Sequence, residues 1–214
     1  MKNVKDSVIE LTNMMSEDEK FAFINVSKSS IIGLNKKSDK SFPSHISKEI
    51  IKAININHPR VMKSVSSDLA SEILEEKHSS IGIKKNHRYY SPNVFEYYYE
   101  RDKSVFNSII EFFIQNTPNL IVTLHDYKRI NNLLGVRSNV ISVSYHSLYK
   151  KFDEIYEKIH SMNGKVQYCL LDCSSLGLAL SPKIWENLDM SIIDFGKALN
   201  FTKDYNSAPK HASR

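Results

Sequence analysis

Residues 165–197, KVQYCLLDCSSLGLALSPKIWENLDMSIIDFGK, read as strand, turn, helix and second strand. The run 166–171 is apolar at nearly every position, the pattern of a strand covered on both faces rather than one facing water. It stops at Asp172, and the small polar residues Cys173, Ser174 and Ser175 lead to Gly177, where the backbone can turn tightly or approach another group. A helix follows to about Leu188, with Leu178, Leu180, Ile184, Trp185 and Leu188 on its apolar face. Pro182 sits early in this helix, so the expected start is Ser181 as N-cap and Pro182 at the first position. The second strand, 190–193, ends at Asp194, Phe195, Gly196 and Lys197. Strand, crossover helix and parallel strand make one right-handed βαβ unit. Ligands of such sheets sit beyond the carboxyl ends of the strands, beside helix starts whose free N–H groups suit a phosphate.

Working outward, the same alternation recurs. Residues 1–20 carry Val4, Val8, Ile9, Leu11, Met14 and Met15 at helical spacing, which predicts an amphipathic N-terminal helix. FAFINV (21–26) is the first strand and runs into Ser27, Lys28, Ser29 and Ser30; residues 36–43 lose the apolar period and read as a loop. Helices are predicted over 44–54, 67–77, 97–113 and 147–162, and one through Ile130, Leu133 and Leu134 that stops at Gly135. NLIVTL (119–124), ending at His125 and Asp126, and 140–143, followed by His146, are further strands; 81–83 reads as a brief one. The expected architecture is α/β, a mainly parallel Rossmann-like sheet flanked by helices in a single domain. It divides into an N-terminal helix at 1–20, the α/β domain at 21–200 and a polar tail at 201–214.

The 214 residues, 41% hydrophobic and 25% charged, are enough for one domain with a proper core. Neither an apolar run of about 18 residues nor the apolar core of a signal peptide is present, which points to a soluble protein without membrane insertion in the cytoplasm of a bacterium or a virus-infected host. Cys169 and Cys173 match no zinc spacing and are expected as reduced packing residues. The net charge of +5 fits contact with a polyanion without demanding it. The absence of a Gly-rich P-loop, a Cys-x-x-Cys pair and a His-Glu-x-x-His helix argues against a nucleotide kinase, a zinc module and a zinc protease.

The order and spacing of NLIVTL, SNVISVSYHS, FDEIYEKI, VQYCLLDCSSLGLALSPKIWENL and MSIIDFGK resemble the GT-D-type glycosyltransferases over about residues 21–200. In that family one strand ends in a Gly-Pro-Thr-like turn and the next in Asp-Ile-Gly-His. Here Asp172, Cys173, Ser174 and Ser175 take the first place and Asp194, Phe195, Gly196 and Lys197 the second, with Asp194 and Gly196 identical. The family's Arg-Phe-Gly-Asp-Gly-Glu motif, whose acids hold a divalent metal, falls on Asn25, Lys28 and Ser30 at its arginine, aspartate and glutamate, so both metal ligands are missing. Either the Lys28 ammonium supplies the charge a metal supplies elsewhere, or catalysis has been lost.

The resemblance implies transfer of a sugar from a nucleotide-sugar donor to a hydroxyl acceptor. Asp194, His125 and Lys28 are the candidate catalytic residues, and Asp172, Ser174, Ser175, Gly177, Gly196 and Lys197 the candidate donor contacts. No cofactor beyond the donor is implied with certainty. Lys84, Lys85, His87, Arg88 and Tyr89, cations mixed with aromatics, are candidates for holding the acceptor, for instance a hydroxymethylated base in phage DNA. The alternatives are a protein or glycan acceptor, or a non-catalytic nucleotide- or nucleic-acid-binding module. A solvated turn is the bland account of the 84–90 run, and helix capping that of Asp172 and Ser174.

Overall fold

The computed structural model describes residues 2–34, 42–85, 88–101, 118–125 and 139–196. Its strands are β1 (Ala22–Asn25), β2 (Val61–Ser64), β3 (Asn119–Thr123), β4 (Asn139–Ser142), β5 (Tyr168–Asp172) and β6 (Ser191–Asp194). They form one six-stranded sheet in the order β2-β1-β6-β5-β3-β4, and every neighbouring pair is parallel. The helices are α1 (Val4–Ser16), α2 (Lys28–Leu34), α3 (Ser44–Asn55), α4 (Ser67–Leu74), α5 (Val94–Arg101), α6 (Phe152–His160) and α7 (Ser175–Asn187). The α/β, parallel-sheet architecture expected from the sequence is the one found.

Alternation along each strand explains the two layers. Ala22, Ile24, Leu120, Val122, Cys169, Leu171 and Ile192 pack with the apolar faces of α3, α4, α6 and α7. Phe21, Phe23, Met62, Ile121, Tyr168, Leu170 and Ile193 pack on the other side with Val8, Leu11 and Met14 of α1 and Val94 and Phe95 of α5. Both faces are therefore dry, which is why strands such as NLIVT and YCLLD read as nearly unbroken apolar runs. Strand β4, on the edge, is exposed at its ends.

Connection handedness fixes where a ligand can enter. The crossovers from β1 to β2, β4 to β5 and β5 to β6 step the same way along the sheet and place their helices on one face. The step from β2 to β3 runs in the opposite direction, so a right-handed connection must cross the other face, and α5 lies there. In the strand order, β5 is followed in sequence by its neighbour β6 on one side, and β3 by its neighbour β4 on the other. The β3–β5 seam is thus a topological switch point, the place where ligands of open parallel sheets bind.

Several local expectations are corrected. Helix α7 begins at Ser175 rather than Ser181, with Pro182 inside it, and the Ser181 hydroxyl donates to the Gly177 carbonyl in the same helix. Burial of nearly the whole first half of the helix outweighs the proline's missing donor. Residues 81–83 form no strand: a 3-10 turn at Ser79–Ile81 ends at Gly82 in the left-handed region. The helix expected over 147–162 is a 3-10 turn at Tyr145–Ser147 followed by α6. Strand β2 had no apolar signature because Lys63 interrupts it; that ammonium is buried and donates to the Ile54 and Ile56 carbonyls at the end of α3. Both cysteines are free and buried. The expected helix through Ile130, residues 102–113 of the helix expected over 97–113 and the tail 201–214 lie outside the described residues. Among the described residues no helix is long and apolar enough to cross a membrane.

Candidate functional site

A cavity of about 450 Å³ opens at the carboxyl edge, in the size range of small-molecule sites. Its floor is made by consecutive strand ends: Asn25 after β1, Asp194 at β6, Asp172 at β5, and Leu124 and His125 after β3. Ser27, Ser29 and Ser174 supply hydroxyls at the rim, and Pro92, Asn93, Phe95 and Glu96 close the side from the start of α5.

Asp194 is 5% exposed. Its carboxylate accepts the Gly196 N–H at 2.8 Å and a backbone N–H of Asn25. Burial pushes its pKa up to about 7, against the lowering by those two donors, and the nearby Asp172 charge adds to the rise. A carboxyl poised there exchanges a proton near neutral pH. Gly196 has φ +56°, and a Cβ on it would stand 3.1 Å from Asn25 Nδ2, so the turn that presents its N–H to Asp194 is suited to glycine.

Asp172 is held differently. Thr123, fully buried one strand over, donates its hydroxyl to Asp172 Oδ2 at 3.0 Å and accepts the backbone N–H of His125 at 3.0 Å. The same carboxylate oxygen lies 3.4 Å from His125 Nε2. This places an oriented imidazole at the switch point, where the sheet is open. Ser174, between β5 and α7, has φ +54° and ψ −139°, a conformation non-glycine residues rarely adopt.

Of the residues expected from the sequence, Asp194, His125, Asp172, Ser174 and Gly196 are brought together around the cavity. Lys28 is not among its lining: it opens α2, its side chain is 65% exposed, and its ammonium stands 3.8 Å from Glu72 of α4. Ser175 points into the protein, with its hydroxyl 3.0 Å from that of Ser30. Gly177 is a packing residue, since a Cβ would meet Leu171 Cβ at 3.3 Å and Cys173 Sγ at 3.4 Å. The run 84–90 lies elsewhere. Lys84 and Lys85 are exposed, Arg88 pairs with Glu10, and the Tyr89 and Tyr90 rings are buried on opposite faces of the sheet. Backbone bonds from Tyr90 to Lys63 and Val65 draw both tyrosines into the sheet edge, which removes them as stacking surfaces. His146 is exposed in a 3-10 turn outside the lining. His87, Asp126 and Lys197 fall outside the described residues.

The sequence reading passed over Asn25 as a lining residue, Thr123 as the anchor of Asp172 and His125, and the 92–96 wall. The last arrives on the connection from β2 to β3, whose turn at Pro92-Asn93 precedes α5, and β2 carried no apolar signature to announce that connection. The divalent metal of the resembled family does not fit this donor set. Ser30 stands where its glutamate would be and is bonded to Ser27 and Ser175. Among the described residues no group of three or more His, Cys, Asp or Glu side chains is arranged to hold a metal ion.

No family model matches the sequence, and no curated protein is significantly similar to it. Solved structures are similar in fold. A domain of unknown function 1792, described as having a distinct glycosyltransferase fold, superimposes with a TM-score of 0.68 at 10% identity, over 99% of this chain and 83% of that one. A glycosyltransferase of the same domain type from Streptococcus sanguinis gives 0.68 at 14% identity, over 100% of this chain and 87% of that one. The class defined by sheet order and helix placement is therefore a glycosyltransferase fold, in agreement with the resemblance read from the strand-end motifs.

Proposed function

We propose that the protein is a glycosyltransferase that takes a nucleotide-sugar donor at the carboxyl edge of its sheet and uses Asp194 as the base toward the acceptor hydroxyl. The observation that carries this reading is the buried Asp194 carboxyl, raised to about 7 and fixed by two backbone donors on the cavity floor. The acceptor oxygen attacks the anomeric carbon, its proton passes to Asp194, and the bond to the diphosphate breaks. The amino end of α7 at the Ser174 turn faces the charge that develops on the leaving group. Because Lys28 is engaged outside the cavity, no part of the charge compensation is assigned to it. Three acids, Asp172, Asp194 and Glu96, line the site, and no lysine or arginine does among the described residues. That balance favours a neutral glycan or protein hydroxyl as acceptor over DNA.

The test is a thermal melt of the full chain with a panel of nucleotide-sugars and nucleotides, followed by mass analysis of pooled hydroxyl acceptors. A cognate donor should raise the melting temperature. D194N should keep that rise and lower transfer by about 100-fold or more. If no donor shifts the melt and no acceptor gains the mass of a sugar, the transferase reading fails and the binding-module alternative takes its place.

A further inference from the structure

The Ser174 turn does more than start a helix. A serine between a parallel strand and the following helix, forced to φ +54° and ψ −139°, has the backbone setting of a nucleophile elbow, which lifts the hydroxyl above the sheet edge. Ser174 lines the cavity, makes no side-chain bond to cap α7, and its hydroxyl has no hydrogen-bond partner among the described residues.

Its neighbours complete a set. The β3–β5 ladder pairs Thr123 with Asp172 and continues past the strand ends, where the Leu124 N–H donates to the Asp172 carbonyl at 3.1 Å. Ser174 and His125 both line the cavity, each two residues beyond the paired strand ends Asp172 and Thr123. The Thr123 hydroxyl and the His125 ring both reach Asp172 Oδ2, at 3.0 and 3.4 Å. His125 Nε2 faces Asp172 Oδ2, which orients the ring. The backbone N–H of Ser175, directly after the serine, has no recorded acceptor among the described residues and begins a thirteen-residue helix. That is the position of an oxyanion donor in an elbow.

We propose that Ser174 is an activated nucleophile, with His125 as its base, Asp172 orienting that base through Thr123, and the Ser175 N–H receiving the oxyanion. The chemistry is acyl transfer on a carboxylic ester with a small acyl group, which the apolar wall of Leu124, Phe95 and Phe195 would receive. Ser174 Oγ bonds to the carbonyl carbon while its proton passes to Nδ1 of His125, the ring nitrogen other than the one on Asp172. The ester C–O bond then breaks, the departing alcohol oxygen takes that proton, and the acyl group remains on Oγ. Water repeats the sequence, giving the acid and the free serine. This inference uses the same cavity as the glycosyl transfer proposed above but does not rest on it.

The experiment uses no sugar, so its outcome is read separately from the transferase test. The full chain is incubated with an alkyl fluorophosphonate, and with p-nitrophenyl acetate, and followed by intact mass, peptide mapping and nitrophenolate release. A single adduct should form on Ser174, be absent in S174A and S174G, and form about 100-fold or more slowly in H125A. S174G suits the positive φ and serves as the folded control if S174A melts early. Wild-type protein with a cooperative melt but no adduct at Ser174 overturns the proposal. So does undiminished labelling elsewhere in S174G, or labelling of H125A at the wild-type rate.

Discussion

At the scale of single residues, the site is defined by two carboxylates in opposite circumstances. Asp172 is offered a hydroxyl and an imidazole, whereas Asp194 is offered backbone N–H groups and little water. The Asp194 pKa in the folded chain, about 7, lies above its ordinary 3.8. Between those values the folded state binds more protons than the unfolded one, so this residue's contribution to stability is complete below about pH 4 and is lost as pH rises through 7. Asn at 194 preserves the acceptor for Gly196 and has no proton to lose. Chemical denaturation of wild type and D194N from pH 4 to 8 should show the variant gaining on wild type by on the order of 4 kcal/mol across that window. Parallel curves would mean that the carboxyl is hydrated and its pKa ordinary, and would remove the poised base.

At the scale of elements, the α7–β5 contact sets the positions of Asp172 and Ser174, because both lie where the strand hands over to the helix. Gly177 lies in that contact, where a Cβ would meet Leu171 and Cys173 at 3.3 and 3.4 Å, and both of those residues are fully buried. G177V should therefore cost about 3 kcal/mol, the upper end for overpacking, read as a lower urea midpoint at unchanged slope. A loss below about 0.5 kcal/mol would show that the helix can lift away, and that the turn is not held by packing. The same unit shows what a sequence can reveal. YCLLD and SIID were legible because strands dry on both faces are apolar throughout, and their terminal Asp172 and Asp194 stood out by contrast. VMKS was not, because the lysine that spoils its pattern is satisfied by helix carbonyls distant in sequence. The site was half legible for the same reason. Strand ends announce themselves, whereas Thr123 acts across a β-ladder and the 92–96 wall is delivered by a crossover, and neither relation leaves a local trace. That Lys28 stands outside the cavity lining was not legible, because aligning one turn with a motif does not say which way a side chain leaves the helix.

At the scale of the whole molecule, charge is distributed against the sheet's geometry. The chain carries a net +5, yet the described cavity is acidic, and the exposed Lys84 and Lys85 lie in the 84–90 run away from it. A polyanion should therefore meet the protein away from the carboxyl edge, with few phosphates neutralised and no base read, since Tyr89 and Tyr90 are buried and Arg88 is paired with Glu10. We expect double-stranded DNA to bind weakly at about 20 mM salt and to fall away by about 150 mM, with a slope of roughly two phosphate contacts. K84E/K85E should abolish that association and leave any nucleotide-sugar melt shift intact, as the two surfaces are separate. Fluorescence anisotropy on a hydroxymethylated duplex decides the matter. Binding that survives physiological salt, or that competes with a nucleotide-sugar for the cavity, would return DNA to the position of acceptor and require cations at the carboxyl edge that the described lining does not contain.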